Sequence, residues 1–245
     1  MSALRYLVAL LVLVILWQIG ALLLGERVLP APLPVLETFF FDVTTAEFQH
    51  HVWVSFARVT IATVIGFALA FPLGILLGAS RRIDAWVAPL VFLTYPVPKI
   101  LFLPVLLVLF GLGETPKILL IALTVGYQIL VVTRDSVRNL DNRYINAFAS
   151  LSRSRWLLAR HVLAPASLPH AVTSLRIATG TAIAVLFLAE SFATNSGLGF
   201  LIMDAWGAMN LPRMFAGIIA MSLLGLLLHQ ACNALERIFC AWARL

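Results

Sequence analysis

Residues 146–169 read NAFASLSRSRWLLARHVLAPASLP and form the long polar interruption of a chain that is otherwise mostly hydrocarbon. Together with the preceding residues from 134 onward, this stretch carries six arginines and two aspartates, namely Arg134, Arg138, Arg143, Arg153, Arg155, Arg160, Asp135 and Asp141. Apolar runs long enough to cross a bilayer lie on both sides of it. The pattern predicts a membrane scaffold interrupted by one basic loop.

The composition indicates an integral membrane protein. Of 245 residues, 62% are hydrophobic and 11% are charged, and the mean hydropathy is +1.00. A soluble domain usually carries about 25% charged residues. The net charge of +6 could suggest nucleic-acid binding, but the basic residues lie in loops between apolar runs, as membrane topology requires. We therefore expect a lipid bilayer, and no nucleic acid, around this chain.

The apolar runs predict an all-α membrane protein with six spans, of which the first is retained and not cleaved as a signal peptide. Residues 47–56 and 34–41 are predicted to form short helices outside the membrane, and residues 193–212 are a second segment outside it. The predicted spans are residues 3–24, 59–79, 86–111, 118–133, 170–192 and 214–235. Both termini then lie on the side with most arginines, which is predicted to be cytoplasmic.

The third span is predicted to break at its centre, where the sequence reads Tyr95-Pro-Val-Pro98-Lys99. Prolines remove backbone donors and disfavour helix at the preceding residue. Broken helices occur in membranes where they are buried in protein or line a watery cavity. Lys99 favours the cavity, because a lone ammonium in lipid is costly.

Two further patterns concern packing and metal binding. Gly66, Gly74 and Gly78 lie on the second span, where small residues let another helix approach closely. His50 and His51 could bind a metal, but neighbours on a helix point about 100° apart. No metal site is predicted.

No pattern for nucleotide binding or catalysis is present. A Walker loop needs Gly-Lys followed by Ser or Thr, whereas both lysines, Lys99 and Lys117, follow a proline. We predict no catalytic residue and no cofactor bound by this chain. The charges within spans, Lys99, Arg176 and Glu190, could form a proton relay, or they could pair with one another or lie at span ends.

Within the basic loop, Ser152 or Ser154 is suited to N-cap a helix from Arg155 to Leu163, which Pro165 and Pro169 would then end. Residues 144–151 can form another short helix. A merely solvated loop has no need of the apolar residues Trp156, Leu157 and Leu158. An amphipathic helix lying on lipid headgroups is the open alternative.

The loop resembles the signature E-A-A-x3-G-x9-I-x-L-P of binding-protein-dependent ABC importer permeases. The spacing is kept throughout, and the signature positions fall on Asn146, Ala147, Phe148, Ser152, Val162, Ala164 and Pro165. The residues match at Ala147 and Pro165 and, conservatively, at Val162. Shorter pieces inside and outside the loop resemble the sulfonate, taurine and nitrate branch of this family, namely residues 95–100, Pro104, 110–114, Lys117, 154–156, 161–163, 167–169, 189–190 and 195–199.

The resemblance implies a type I importer permease fold. It implies a first region at residues 1–53, a permease core at 54–245 and cytoplasmic coupling helices at about 136–168. Partners would be a second, identical permease subunit, two cytoplasmic ABC ATPase subunits that bind ATP-Mg, and a periplasmic substrate-binding protein. The chain would lie in a bacterial inner membrane.

The residues expected to couple to the ATPase are Asn146, Ala147, Phe148, Leu151, Ser152, Arg155, Trp156, Leu157, Arg160 and Pro165. We expect docking through apolar contacts framed by arginines. Asn146 lacks the charge of the family's acidic residue, which could hold an arginine. Ser152 replaces the family's glycine, so either this turn avoids positive φ or the ATPase surface has adjusted.

Candidates for the translocation path are Tyr95, Pro98, Lys99, Glu190 and Asn195. The resemblance implies a small, anionic solute of the sulfonate type, with a thiamine precursor as the alternative. Lys99 could guide an anion, pair with Glu190, or cap carbonyls freed at the break. A secondary transporter or channel driven by an ion gradient is the competing function, and a membrane-embedded enzyme is a third for which no catalytic constellation is found.

Overall fold

A computed structural model describes residues 3–192 and 194–244, and every regular element within them is a helix. The predicted all-α fold class is confirmed. The helices are α1 (Ala3–Leu24), α2 (Pro32–Val43), α3 (Ala46–Ala79), α4 (Arg81–Thr94), α5 (Leu103–Phe110), α6 (Glu114–Arg138), α7 (Asn142–Ala149), α8 (Arg155–Ser191), α9 (Leu198–Gly207) and α10 (Leu211–Phe239).

Five helices (α1, α3, α6, α8 and α10) are long and apolar enough to cross a membrane. A sixth candidate span consists of α4 followed by Lys99–Phe110, and the two parts are bent by 91°. The bend follows Thr94, where the two prolines were predicted to interrupt the third span. The number of spans and the position of the break therefore agree with the sequence prediction.

The second span is longer than predicted. Helix α3 runs 34 residues from Ala46 to Ala79, so the separate helix predicted for residues 47–56 is wrong. The predicted span begins at residue 59, directly after the charged Arg58. This guanidinium is buried in the structure and forms a bidentate ion pair with Glu114, with Nε–Oε2 at 2.5 Å and Nη2–Oε1 at 2.6 Å. Because Glu114 compensates the charge, the helix continues past it.

The prediction that Pro165 and Pro169 end a short helix is also wrong. Helix α8 runs 37 residues without interruption. A π-helical turn at Ala159–Leu163 precedes Pro165, and the amide of Ala164 donates to the carbonyl of Ala159, five residues earlier. This wider turn changes the backbone ahead of Pro165, and prolines are tolerated in membrane helices where such local adjustment occurs.

Contacts between Cα atoms divide the chain into two compact units, and the first comprises residues 1–55 and 190–223. In this unit the indole of Trp17 donates to the carbonyl of Pro30 at 3.0 Å and stacks on Phe215. Arg213 pairs with Glu47 at 2.7 Å. The unit also contains α9, a ten-residue apolar helix in the segment that was predicted only as extramembrane.

The second unit comprises residues 56–189 and 224–245, and the three glycines of α3 lie in it against α6. A Cβ placed on Gly66 would lie 2.8 Å from the carbonyl oxygen of Ala122. On Gly74 and Gly78 it would lie 2.7 and 2.6 Å from the Cβ atoms of Thr133 and Val137. These distances are shorter than real carbon contacts, so the glycines allow the two helix backbones to approach.

Candidate docking loop and membrane polar sites

The loop between α6 and α8 begins with a capped helix. Asp141 is the N-cap of α7, and its carboxylate accepts hydrogen bonds from the backbone amide of Arg143 at 2.8 Å and from the Nε of Arg143 at 2.7 Å. The Arg143 guanidinium lowers the pKa of Asp141, whose carboxylate is exposed to solvent. The cap sets where α7 begins after α6 ends at Arg138.

Two serines shape the turn between α7 and α8. The hydroxyl of Ser152 accepts a hydrogen bond from the amide of Ser154 at 3.2 Å. The hydroxyl of Ser154 then accepts one from the amide of Leu157 at 3.4 Å and N-caps α8. Among the described non-glycine residues, only Met209 has a positive φ. The backbone at Ser152 therefore does not adopt the left-handed conformation that favours glycine. Of the two explanations for the serine in place of the family's glycine, the structure shows the first, a turn without positive φ.

Large apolar side chains stand exposed on this loop. Leu151 is 85% exposed and Trp156 is 70% exposed, and Tyr144 and Leu157 are also exposed. Helix α7 contains no buried residue. Large exposed apolar side chains grouped in the segment that joins two spans favour a site of interaction with a protein or a membrane.

The remaining predicted coupling residues lie on the same segment of the chain. Asn146, Ala147, Arg155 and Arg160 are exposed, whereas Phe148, Ser152 and Pro165 are half-buried. The structure brings all ten predicted residues into one segment of α7, the serine turn and the first turns of α8. Their contact with an ATPase stays a prediction.

An ion network joins α4 to the end of α6, immediately before the loop. Arg134 donates from Nε and Nη2 to both oxygens of Asp84, at 2.6 and 2.7 Å, and Arg138 pairs with the same carboxylate. Arg134 also pairs with Asp135 and lies over the ring of Phe92. Sequence reasoning does not identify Asp84 as a partner of these arginines, because nothing local points to groups fifty residues away.

At the break, Lys99 caps the backbone. Its ammonium donates to the carbonyl oxygens of Thr94 (2.7 Å), Val97 (3.0 Å) and Tyr95 (3.2 Å), and it lies 4.2 Å from the ring centre of Tyr127. An ammonium has three donors, and all three are engaged. Of the alternatives for Lys99, the structure shows the carbonyl cap. The side chains of Tyr95 and Pro98 are exposed.

We expect Lys99→Met to destabilise the protein, because methionine leaves carbonyls of the break without a donor. Each buried group left in this state costs about 1–3 kcal/mol. The thermal midpoint of the purified protein in detergent should fall, and uptake of every solute should fall with it. Lys99→Arg, which retains donors, should lose less. An unchanged midpoint combined with loss of anion uptake alone would show that the lysine guides the anion.

Glu190 caps the start of α9 within the first unit. It is fully buried, and its carboxylate accepts hydrogen bonds from the hydroxyl of Ser55 at 2.7 Å and from the amide of Gly199 at 2.9 Å. The Ser55 oxygen accepts from the amide of Leu198, and Nδ1 of His51 accepts from the amide of Gly197. Three successive amides at a helix N-terminus are thus held by side chains.

This arrangement depends on Gly197, which has a φ of +110°. A Cβ there would lie 2.5 and 2.6 Å from the two carboxylate oxygens of Glu190. Asn195, in the same connection, is exposed. Sequence reasoning placed Glu190 and Asn195 on the translocation path, a role that stays a prediction, and it missed Ser55 and His51. The Gly-Leu-Gly sequence before α9 was the available signal, since such glycines often admit a close approach.

Residues 70–238 match the model of the family described as "Binding-protein-dependent transport system inner membrane component". The taurine transport system permease protein TauC of Escherichia coli is 31% identical over 92% of this chain and 84% of its own length. The formylaminopyrimidine transport permease protein ThiX of Halalkalibacterium halodurans is 27% identical over 96% of this chain and 94% of its own length.

A similar fold occurs in an inward-facing structure of the MetNI methionine ABC transporter, with a TM-score of 0.65 and 20% identity over 77% of this chain and 94% of that one. This likeness supports the predicted importer permease fold. Together with the family match over residues 70–238, it agrees with the resemblance of the loop signature. The chain belongs to the family of binding-protein-dependent ABC importer permeases, the multi-pass membrane subunits of these transport systems.

Proposed function

We propose that this chain is the membrane subunit of an ATP-driven importer for a small organic solute. Two copies form the translocation path in the inner membrane, and two separate cytoplasmic ATPase subunits bind ATP-Mg and supply the energy. A periplasmic binding protein delivers the solute. The basic loop faces the cytoplasm together with both termini, because arginines are enriched on that side of the spans.

The observation that carries this proposal is the exposed apolar surface of the loop. Leu151 and Trp156 stand on a rigid support, because serine hydroxyls hold the turn and Asp141 caps α7. Full burial of one such side chain stabilises a complex by about 1.5–3 kcal/mol. A groove in a partner protein would bury this surface, and the exposed arginines Arg153, Arg155 and Arg160 would meet acidic groups at its rim.

The proposed solute follows from the relatives. One is named for taurine, a sulfonate, and another for formylaminopyrimidine. We propose a small solute of the sulfonate type, with a pyrimidine precursor of thiamine as the alternative. Both kinds are compact and rich in hydrogen-bonding groups. Neither requires a cofactor on this chain.

Reconstitution tests the proposal directly. The chain is placed in proteoliposomes with the ATPase that co-purifies with it, and the matching binding protein is added outside with labelled taurine or formylaminopyrimidine. We expect uptake only with ATP-Mg inside the vesicles. Solute uptake by the chain alone, driven by a proton or sodium gradient without ATP, would instead establish a secondary transporter.

A further inference from the structure

Two polar side chains meet on the exposed surface of the second unit, between α6 and α8. The amide nitrogen of Gln128 donates to the hydroxyl of Thr181 at 3.4 Å, and this hydrogen bond is open to the surroundings. Thr181 is exposed and Gln128 is half-buried. Neither residue belongs to the loop, the break or the cap of α9.

Both residues lie deep within their spans. Gln128 stands ten residues before the end of α6 and fourteen after its start, which corresponds to about 15 and 21 Å of helix. Thr181 stands ten residues before the end of α8, or about 15 Å. The hydrocarbon core of a bilayer is about 30 Å thick, so the pair lies near its centre.

Lipid is a poor surrounding for this pair. A glutamine side chain has two donor hydrogens and an acceptor oxygen, and one long hydrogen bond to Thr181 leaves most of this capacity unused. Transfer of an amide to a medium without partners costs several kcal/mol. Polar groups within spans therefore face water or other protein, and often mark the path of a solute.

The helix that carries Gln128 also contacts the break, although through the preceding residue, whose side chain points about 100° away from that of Gln128. Tyr127, beside Gln128 in the chain, hydrogen-bonds through its hydroxyl to Thr94 at 2.9 Å. The exposed Tyr95 follows Thr94 directly. On the other side, a Cβ placed on Gly180 would meet nothing within 4 Å, so the surface beside Thr181 is open.

We infer that Gln128 and Thr181 line the solute path at the centre of the bilayer. This inference rests on the proposed function and adds the chemistry of recognition. The path offers the solute an amide and a hydroxyl group, which bind the oxygen atoms of a sulfonate or a pyrimidine weakly. Lys99 does not supply the contact, because its three donors cap the break.

Cysteine accessibility tests this inference in the whole importer, assembled with its ATPase in lipid nanodiscs. Thr181→Cys is treated with the charged, membrane-impermeant reagent trimethylammonioethyl methanethiosulfonate. Val64→Cys is the matched control, since Val64 is similarly exposed, apolar and central in α3. The unaltered complex gives the background, because Cys232 and Cys240 are buried.

We expect Thr181→Cys to react at least ten times faster than Val64→Cys. Equal reaction rates at the two positions, whether fast or slow, would overturn the inference. A spontaneous disulfide between two copies at position 181 would also overturn it, because the pair would then lie in a closed contact between subunits. Failure of the ATPase to co-purify would contradict the proposed function itself.

A transport measurement adds a second readout. Gln128→Leu should reduce the uptake rate at least fivefold while assembly with the ATPase and the thermal midpoint are unchanged. Gln128→Asn, which keeps an amide, should recover part of the rate. Full uptake by Gln128→Leu would show that the amide does not contact the solute.

Discussion

Replacing Trp156 by aspartate should abolish stable assembly of this permease with its ATPase. Trp156 is 70% exposed and lies in the first turn of α8, so the substitution removes little from the folded chain itself. Loss of a large aromatic anchor from the centre of an interface typically costs about 2–4 kcal/mol, which is roughly 30- to 1,000-fold in affinity. The added carboxylate also disfavours burial in an apolar groove.

Co-purification of the ATPase with the tagged permease measures this effect, together with stimulation of ATP hydrolysis by the loaded binding protein. Leu157→Asp should act in the same direction. Trp206→Asp is the matched control, because Trp206 is also an exposed tryptophan but lies on α9. If the Trp156→Asp complex assembles and its ATPase responds to solute, the docking assignment is wrong.

The second large effect is expected at Asp84. Its carboxylate is 6% exposed and holds Arg134 in a bidentate pair together with Arg138. Asp84→Asn would leave the largely buried guanidinium of Arg134 without its main counter-charge. Removal of one partner of a buried pair typically destabilises a protein by about 3–5 kcal/mol. The thermal midpoint and the yield of monodisperse protein in detergent should both fall sharply.

Asp135→Asn provides a matched comparison, since Asp135 also pairs with Arg134 but is 47% exposed. We expect it to cost less than about 1 kcal/mol. The double variant Asp84→Leu with Arg134→Leu removes both buried charges and should recover stability. Equal midpoints for Asp84→Asn and Asp135→Asn would show that burial of the pair does not matter.

Much of the fold follows from the sequence because membrane spans are encoded locally. The length of an apolar run and the position of two prolines predicted the broken third span. The serines at 152 and 154 predicted a helix start at Arg155, and the structure shows Ser154 as the N-cap of α8. Serine caps act within three residues, so a local pattern contains all the information needed.

Several contacts could not be predicted because the partners lie far along the chain. The predicted second span began after Arg58 because its ion-pair partner Glu114, 56 residues away, cannot be identified from the local sequence. Asp84 and Glu190 are held by groups 50 and 135 residues away. The π-helical turn before Pro165 could not be predicted from the sequence either. A proline shows where a helix is strained, but it does not show how the backbone adjusts.

The continuity of α8 has a mechanical consequence. A helix of 37 residues is about 55 Å long, and its first turn carries Trp156 while its apolar part carries Thr181. Because both residues lie on one continuous helix, a tilt of the helix moves them together. A tilt of about 10° around the midpoint moves each end by roughly 5 Å. If the loop docks on an ATPase as proposed above, a push on it would reach the membrane part of α8 as a sideways displacement, and the stiffness of this one helix would set how much of the movement is transmitted.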